Sequence, residues 1–260
     1  MPFTISHAAA VLPFSRFLKA SPLLSAAVVG SMVPDFGILM PWHPARAETH
    51  GLVPLVTFIL PVGLSSLWIF QYVIKQPTIA VLPDRLYRIA CQYLQPAPIG
   101  KLRSWLVAAF GILAGAVTHL AWDAFTHEGA RGMRMIPALD ELVLVAGAHH
   151  VAGQRLLQDV SSLIGFAVIA WWLLRVARSN PGADCAPRQL GGTERGLWLT
   201  LYAVVAVVVT IVAVILMRDA EPVRYGLGNA TNDAAVAGLR GVGASLLLVS
   251  GVLRLRLRAR

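Results

Sequence analysis

His119, Asp123 and His127 stand four residues apart at the end of an apolar run that begins near Gly111. Imidazole and carboxylate together suit a borderline divalent cation. A helix advances about 400° in four residues, so each of these side chains sits only about 40° round from the last. One helical face therefore carries three ligand-type groups over two turns. The run before them is long enough to enter a bilayer, where ionisable groups are costly and face a cavity, a partner or an ion. Asp35 repeats the anomaly, following Pro34 in the apolar stretch between Val33 and Phe36. His7, behind Ser6 at a helix start, and His50, between Thr49 and Gly51, complete the candidate metal set: His7, Asp35, His50, His119, Asp123 and His127.

Each residue has a plainer use as well. His119 could bond a helix carbonyl, Asp35 could cap a turn, and His7 could neighbour a cap. His43, between Trp42 and Pro44, reads as an interfacial loop residue. His149 and His150 are adjacent, so at most one joins a site. Asp159 can pair with Arg155, four residues earlier. Gly111 and Gly115 continue the stripe of His119 and Asp123, and small residues there let a second helix approach.

The elements that must position these groups are membrane helices. Of the 260 residues 57% are hydrophobic and only 13% charged, against about 25% charged in an ordinary soluble domain. Mean hydropathy is +0.66. Five segments reach the length of about 20 apolar residues that a bilayer demands: Gly51–Ile74, Ser104–Thr126, Leu157–Val176, Gly196–Met217 and Ala234–Leu253. Pro34 interrupts Pro22–Pro41, which reads as a short or re-entrant helix. A first short helix is expected near His7–Leu18, and an interfacial amphipathic helix over Pro83–Leu94, with Leu86, Ile89, Ala90, Tyr93 and Leu94 on one face. Asn180–Gly192 reads as a loop.

The fold expected is all-α: a polytopic membrane bundle of five spans plus a short or re-entrant N-terminal helix pair, in a single domain over residues 1–260. Residues 1–50 carry the N-terminal His and Asp motifs, 51–176 three spans bearing the polar site, and 177–260 two spans and a basic tail. The first twenty residues lack the marks of a cleaved signal peptide, so the chain is expected to insert through its own helices.

The formal charge of +9 does not point to nucleic acid, because the basic residues lie in the gaps between apolar runs, where they act as topology signals. They divide twelve against eight across the five spans. This bias places the N-terminus outside and the C-terminus in the cytoplasm, with the lipid bilayer as the partner surface. All seven histidines then fall at the opposite, non-cytoplasmic face.

The donors suit Zn²⁺ first, with Mn²⁺ or Fe²⁺ as alternatives. Cys91 and Cys185 are the only cysteines. They form no Cys-x-x-Cys pair and read as small apolar side chains, with no disulfide framework. A catalytic zinc needs about three protein ligands and an open position for water. The chain has no Gly-x-Ser-x-Gly elbow, no phosphate-binding Gly-x-x-x-x-Gly-Lys loop and no His-Glu-x-x-His pair.

With these residues in view, the chain resembles the bacterial family called domain of unknown function 4184. The resemblance rests on the segments Met1–Pro13, Gly30–Phe36, Thr49–Gly51, Gly115–His127 and Leu156–Gly165. It implies a multi-pass protein of the bacterial inner membrane and brings no activity with it. A weaker resemblance is to membrane-bound metal-dependent hydrolases, whose pattern would fall on His7, Pro34 with Asp35, His50 with Gly51, and His119 with Asp123. It implies that these residues bind metal. The chain departs from that group's Pro-Asp-x-Asp pattern by having Gly37 in place of the second acid. His127 is the candidate substitute; otherwise the site is reduced to one metal or none.

The leading expectation is a metal-dependent hydrolase at the membrane face, acting on a phosphoester or lipid-like substrate. The alternatives are a metal or proton transporter, and a structural cluster in which histidines and acids hold helices in register.

Overall fold

The computed structural model describes residues 4–18, 22–40, 42, 44–91, 100–127, 130, 132–136, 139, 142–146, 149–179, 190–219 and 230–259. His43, Tyr93, Leu94, Cys185 and most of the loop over 180–192 lie outside the described residues. Two 3₁₀ segments, Thr4–Ala10 and Leu12–Phe14, open the chain. Then come α1 (Leu23–Gly30), a 3₁₀ turn over Val33–Leu39, and the single-turn α2 (Arg46–Thr49). The long helices are α3 (Leu52–Val81), α5 (Leu102–Thr126), α6 (Gly153–Ser179), α7 (Gly192–Asp219) and α8 (Ala230–Arg258), with the short α4 (Asp84–Ala90) between α3 and α5.

Five helices are long and apolar enough to cross a membrane, and they coincide with the five expected segments, extended by a turn or so at several ends. Their outward faces carry Phe110, Leu163, Leu197, Val207, Leu248 and Leu255, all exposed. A soluble protein rarely tolerates apolar surface on this scale, whereas lipid solvates it. The bundle is all-α as expected, with one addition outside the helices. β1 (Leu142–Ala146) and β2 (His149–Ala152) pair antiparallel, Val145 opposite His150 and Ala146 opposite His149. The side chains of His149 and His150 lie outside the described residues.

The helix α3 contains wide π turns at Leu55–Ile59 and Phe70–Ile74. Each holds the residue four before a proline, Thr57 before Pro61 and Val73 before Pro77. A proline ring has no N–H to offer that carbonyl and pushes against it, so the helix widens there.

The core that matters for the site lies between α1, α3 and α5, where Ala26, Val29, Val33, Ile59, Leu67, Ala108, Ile112 and Ala116 are buried together. The short helix α1 lies directly on the Gly111–Gly115 stripe of α5. A methyl group at Gly111 would lie 2.8 Å from the Ala26 Cβ, and one at Gly115 would collide with the Ala27 carbonyl oxygen. The backbones touch because these residues have no side chain, which is the close approach the stripe suggested.

A second core joins α7 and α8 around Val81, Trp198, Val249, Leu253 and Leu257. Arg240, within the α8 span, reaches the N-terminal layer and donates to the Ile38 carbonyl at 2.8 and 3.0 Å. Two details differ from expectation. In α4 it is Tyr87 that is buried while Leu86 is exposed, so the helix is anchored by its aromatic ring and turns Leu86 outward. Cys91 is disulfide-bonded, not an isolated apolar thiol. Local spacing carries no signal for such a bond, because it requires two Cα atoms brought within about 7 Å by the fold.

Candidate metal centre

Four stretches of chain, α5 among them, meet at the C-terminal end of α5. The helix itself supplies His119 and Asp123, one turn apart and both buried, and His127 follows at its C-cap. Pro34 opens the 3₁₀ turn after α1 and the next residue, Asp35, points inward, 3% exposed. His50 caps α2. His7 comes from the first 3₁₀ segment, which lies against α6, where a methyl at Gly165 would touch Ser6 at 2.9 Å. All six sequence candidates thus meet in one place.

The spacing within the cluster is informative. Asp123 Oδ2 lies 3.3 Å from His119 Nε2 and 3.4 Å from His50 Nε2. Asp35 Oδ1 lies 3.6 Å from each of the same two nitrogens. These separations exceed the about 2.7–3.2 Å of a good hydrogen bond. They suit neighbouring donors around one ion held by bonds of about 2.0–2.2 Å. The four ligand atoms lie within 4.8 Å of one another, and this buried group could hold a metal ion.

The outer hydrogen bonds point the same way. His119 Nδ1 lies 2.8 Å from the Ser31 carbonyl oxygen, which only accepts, so Nδ1 carries the proton. In a neutral ring this leaves the lone pair of Nε2 aimed at two carboxylates. The Thr49 hydroxyl donates to the Arg46 carbonyl, so it accepts from His50 Nδ1 at 2.7 Å and again leaves Nε2 as a lone pair. The Thr4 hydroxyl donates to Asp35 Oδ2 at 2.9 Å and leaves Oδ1 bare. Asp35 Oδ1, His50 Nε2 and His119 Nε2 are all buried without a hydrogen-bond partner among the described residues. Lone pairs facing lone pairs in a dry site repel unless a cation lies between them. Fixing a ligating histidine through its other ring nitrogen is the usual second layer of a metal site.

Burial lowers the His7 pKa to about 4, aided by the facing His119 ring and opposed by Asp123 and Asp35. Burial pushes the Asp35 carboxyl up, but His50 and His119 outweigh it and hold it below the usual carboxylate range. His127 is lowered by burial, with Asp123 opposing and Arg46 adding to the effect. Burial thus favours the neutral, electron-donating form of His7 and of His127. Between the unfolded value of 6.5 and about 4 the unfolded chain binds more protons at His7 than the folded one, so stability decreases as pH is lowered. The contribution of neutral His7 is full above the upper value and is lost as pH drops towards the lower one. Chelator-treated protein is therefore expected to melt at progressively lower temperature across that window. A His7→Gln variant, followed by circular dichroism in detergent, is expected to show a shallower dependence.

A small cavity of about 20 Å³ adjoins the cluster, lined by His7, Asp123, His127, Trp122, Gln158 and Ser162 among others. That is room for about one water molecule. Asp159, one position from Gln158, is turned outward and pairs with Arg155 at 3.5 Å, so it stays out of the site.

Sequence reading missed two participants. Thr4 orients Asp35, and Arg46 donates to Asp123 Oδ2 at 2.7 Å from a partly exposed position. Nothing in the sequence separates Arg46 from the other loop arginines. The Thr4 hydroxyl lies in the N-terminal segment already noted for His7, which is the only signal available for it.

The family model described as "Domain of unknown function (DUF4184)" matches residues 1–251. No curated protein and no solved structure matches the chain.

Proposed function

The chain belongs to the DUF4184 family, and from that premise we propose that it is a membrane-embedded, metal-dependent hydrolase working at the membrane face. The observation that carries this reading is the pair of imidazole nitrogens set 3.3–3.6 Å from two buried carboxylates, beside a water-sized cavity. Asp35, His50, His119 and Asp123 would hold the metal. Zinc is the first choice for two imidazoles and two carboxylates, and manganese or iron are alternatives. A metal there would polarise the scissile group and lower the pKa of water to about 7. A side chain lining the cavity would take the proton. The substrate class is a phosphoester or a lipid-like ester or amide, entering from the headgroup region of the bilayer, the protein's partner surface.

Arg46 gives this reading a handle on charge. Its guanidinium spans from the partly exposed edge of the cluster to Asp123, where it would meet an anionic substrate. A charged hydrogen bond contributes about 1.5–3 kcal/mol. Arg46→Gln, assayed with the metal in saturating excess, is therefore expected to raise KM for an anionic phosphoester roughly ten- to a hundredfold.

The test is protein in lipid nanodiscs, loaded with zinc or manganese and offered phosphomonoesters, phosphodiesters, glycerolipids and amides. Metal-dependent turnover that chelation removes and reloading restores supports the hydrolase. Bound metal with no turnover on any class overturns it in favour of metal handling without chemistry. Absence of metal after reloading would leave a structural cluster.

A further inference from the structure

The carboxylate of Asp123 faces histidines on both sides. Its Oδ2 belongs to the group just described. Its Oδ1 points the other way, 3.4 Å from His127 Nδ1 and 3.6 Å from His7 Nε2. Those two separations fall in the same range as those of the first group and are again too long for hydrogen bonds. Asp123 Oδ1 is buried and without a hydrogen-bond partner among the described residues. The cavity touches His7, Asp123 and His127, with Asp35 and Thr4 at its border, but neither His50 nor His119.

We propose that Asp123 is a bridging ligand between two metal ions: one held by Asp35, His50 and His119, the other by His7 and His127 at the cavity. This rests on the metal-centre reading above and extends it. Two oxygens of one carboxylate, each serving one ion, suit the about 3.5–4 Å separation of two-metal hydrolytic sites. The division of labour follows from the donors. The inner ion has four protein ligands and little room to accept another. The outer ion has three, counting the shared carboxylate, so its open positions face the cavity. His127 Nδ1 would exchange its long 3.3 Å contact with the Thr126 hydroxyl for that ion. Thr126 loses nothing essential, because its own proton goes to the Trp122 carbonyl.

The substrate class narrows accordingly. Paired metals clamp the attacking and leaving oxygens of an in-line displacement, which is the chemistry of phosphoester hydrolysis. Water adds to phosphorus, the ester P–O bond breaks, and the leaving alkoxide takes the proton that the water gives up.

The experiment is manganese titration of the purified full chain, read by elemental analysis and electron paramagnetic resonance. The expected result is two equivalents and an exchange-coupled spectrum. A His7→Gln/His127→Gln variant, checked for folding by circular dichroism and gel filtration, is expected to retain one equivalent with the spectrum of isolated Mn²⁺. Saturation of the wild type at one equivalent with an uncoupled spectrum overturns the bridged pair and leaves the single-metal hydrolase standing. No binding at all overturns both readings. The wild-type measurement decides the matter even if the variant fails to fold.

Discussion

Asp123→Asn is expected to abolish metal binding while the helices stay folded. Asp123 is the residue that all four histidines of the cluster face from short range: His7, His50, His119 and His127, and Arg46 with them, lie within 3.6 Å of one of its oxygens. Asparagine keeps the shape and removes the charge. It also places an amide nitrogen, which cannot ligate, where one carboxylate oxygen stood. Loss of a partner that merely orients a ligand costs about 10–100-fold in metal affinity. Loss of a ligand shared by the whole cluster should exceed that, so affinity is expected to fall by more than about 100-fold, and any metal-dependent activity with it. Calorimetric titration with zinc, beside circular dichroism of the same sample, measures both halves of the expectation. Asp159→Asn is the control, since Asp159 is turned outward and pairs with Arg155, and it should bind metal like the wild type. An Asp123→Asn protein that still takes up metal at wild-type affinity would show that the cluster is not the site.

Gly115→Ala is expected to damage the site from a distance, with every ligand still present. A methyl group there would collide with the Ala27 carbonyl oxygen and come within 2.7 Å of the Ser31 nitrogen. The obstacle is backbone on both sides, so no side chain can swing away. The helix α1 must move off α5. It carries the Ser31 carbonyl that orients His119 at 2.8 Å, and the 3₁₀ turn after it carries Asp35. Overpacking of this kind costs about 1–3 kcal/mol. The site should suffer more than the fold, because lone pairs set 3.6 Å apart tolerate little displacement. The expected outcome is a lower melting temperature together with at least a tenfold loss of zinc affinity. Gly243→Ala is the matched control, because a methyl group there meets nothing within 4 Å. It should raise helix stability slightly, by up to about 1 kcal/mol. Equal metal affinity in the two variants would mean that α1 does not hold the site in place.

These two cases mark where sequence reading reaches and where it stops. The stripe Gly111, Gly115, His119, Asp123 was visible as a four-residue period on one helix. Its first half reads as a packing surface and its second half as a ligand surface; the structure packs α1 on the first and buries the second in a group that could hold a metal ion. Asp35 stood out because an acid in an apolar stretch is costly without a purpose. His50 and His7 were weaker signals. Each lies in a short non-repetitive segment, and there the direction of a side chain depends on turns that have no periodicity to read. Arg46 had no signal at all. It matters only because α2 sets it beside a residue 77 positions away. The hairpin of β1 and β2 and the bond at Cys91 escaped for the same reason, since both are pairings across chain distance.

What the chain's own order of residues determines is everything that depends on neighbours within a few turns. Five apolar runs of bilayer length must become helices, because lipid offers no other partner for backbone N–H and C=O groups. A proline at Pro34 must break the run around Asp35, and a four-residue spacing must put His119 and Asp123 on one face. What the tertiary structure alone decides is distance between segments. It lays α1 on the glycines of α5, turns Asp35 and His50 towards the same two helical residues, and leaves ring nitrogens and carboxylate oxygens 3.3–3.6 Å apart. Helix formation is local and follows from hydropathy and period. The geometry of the cluster is a property of four segments packed at once, and it exists only when the last of them has docked.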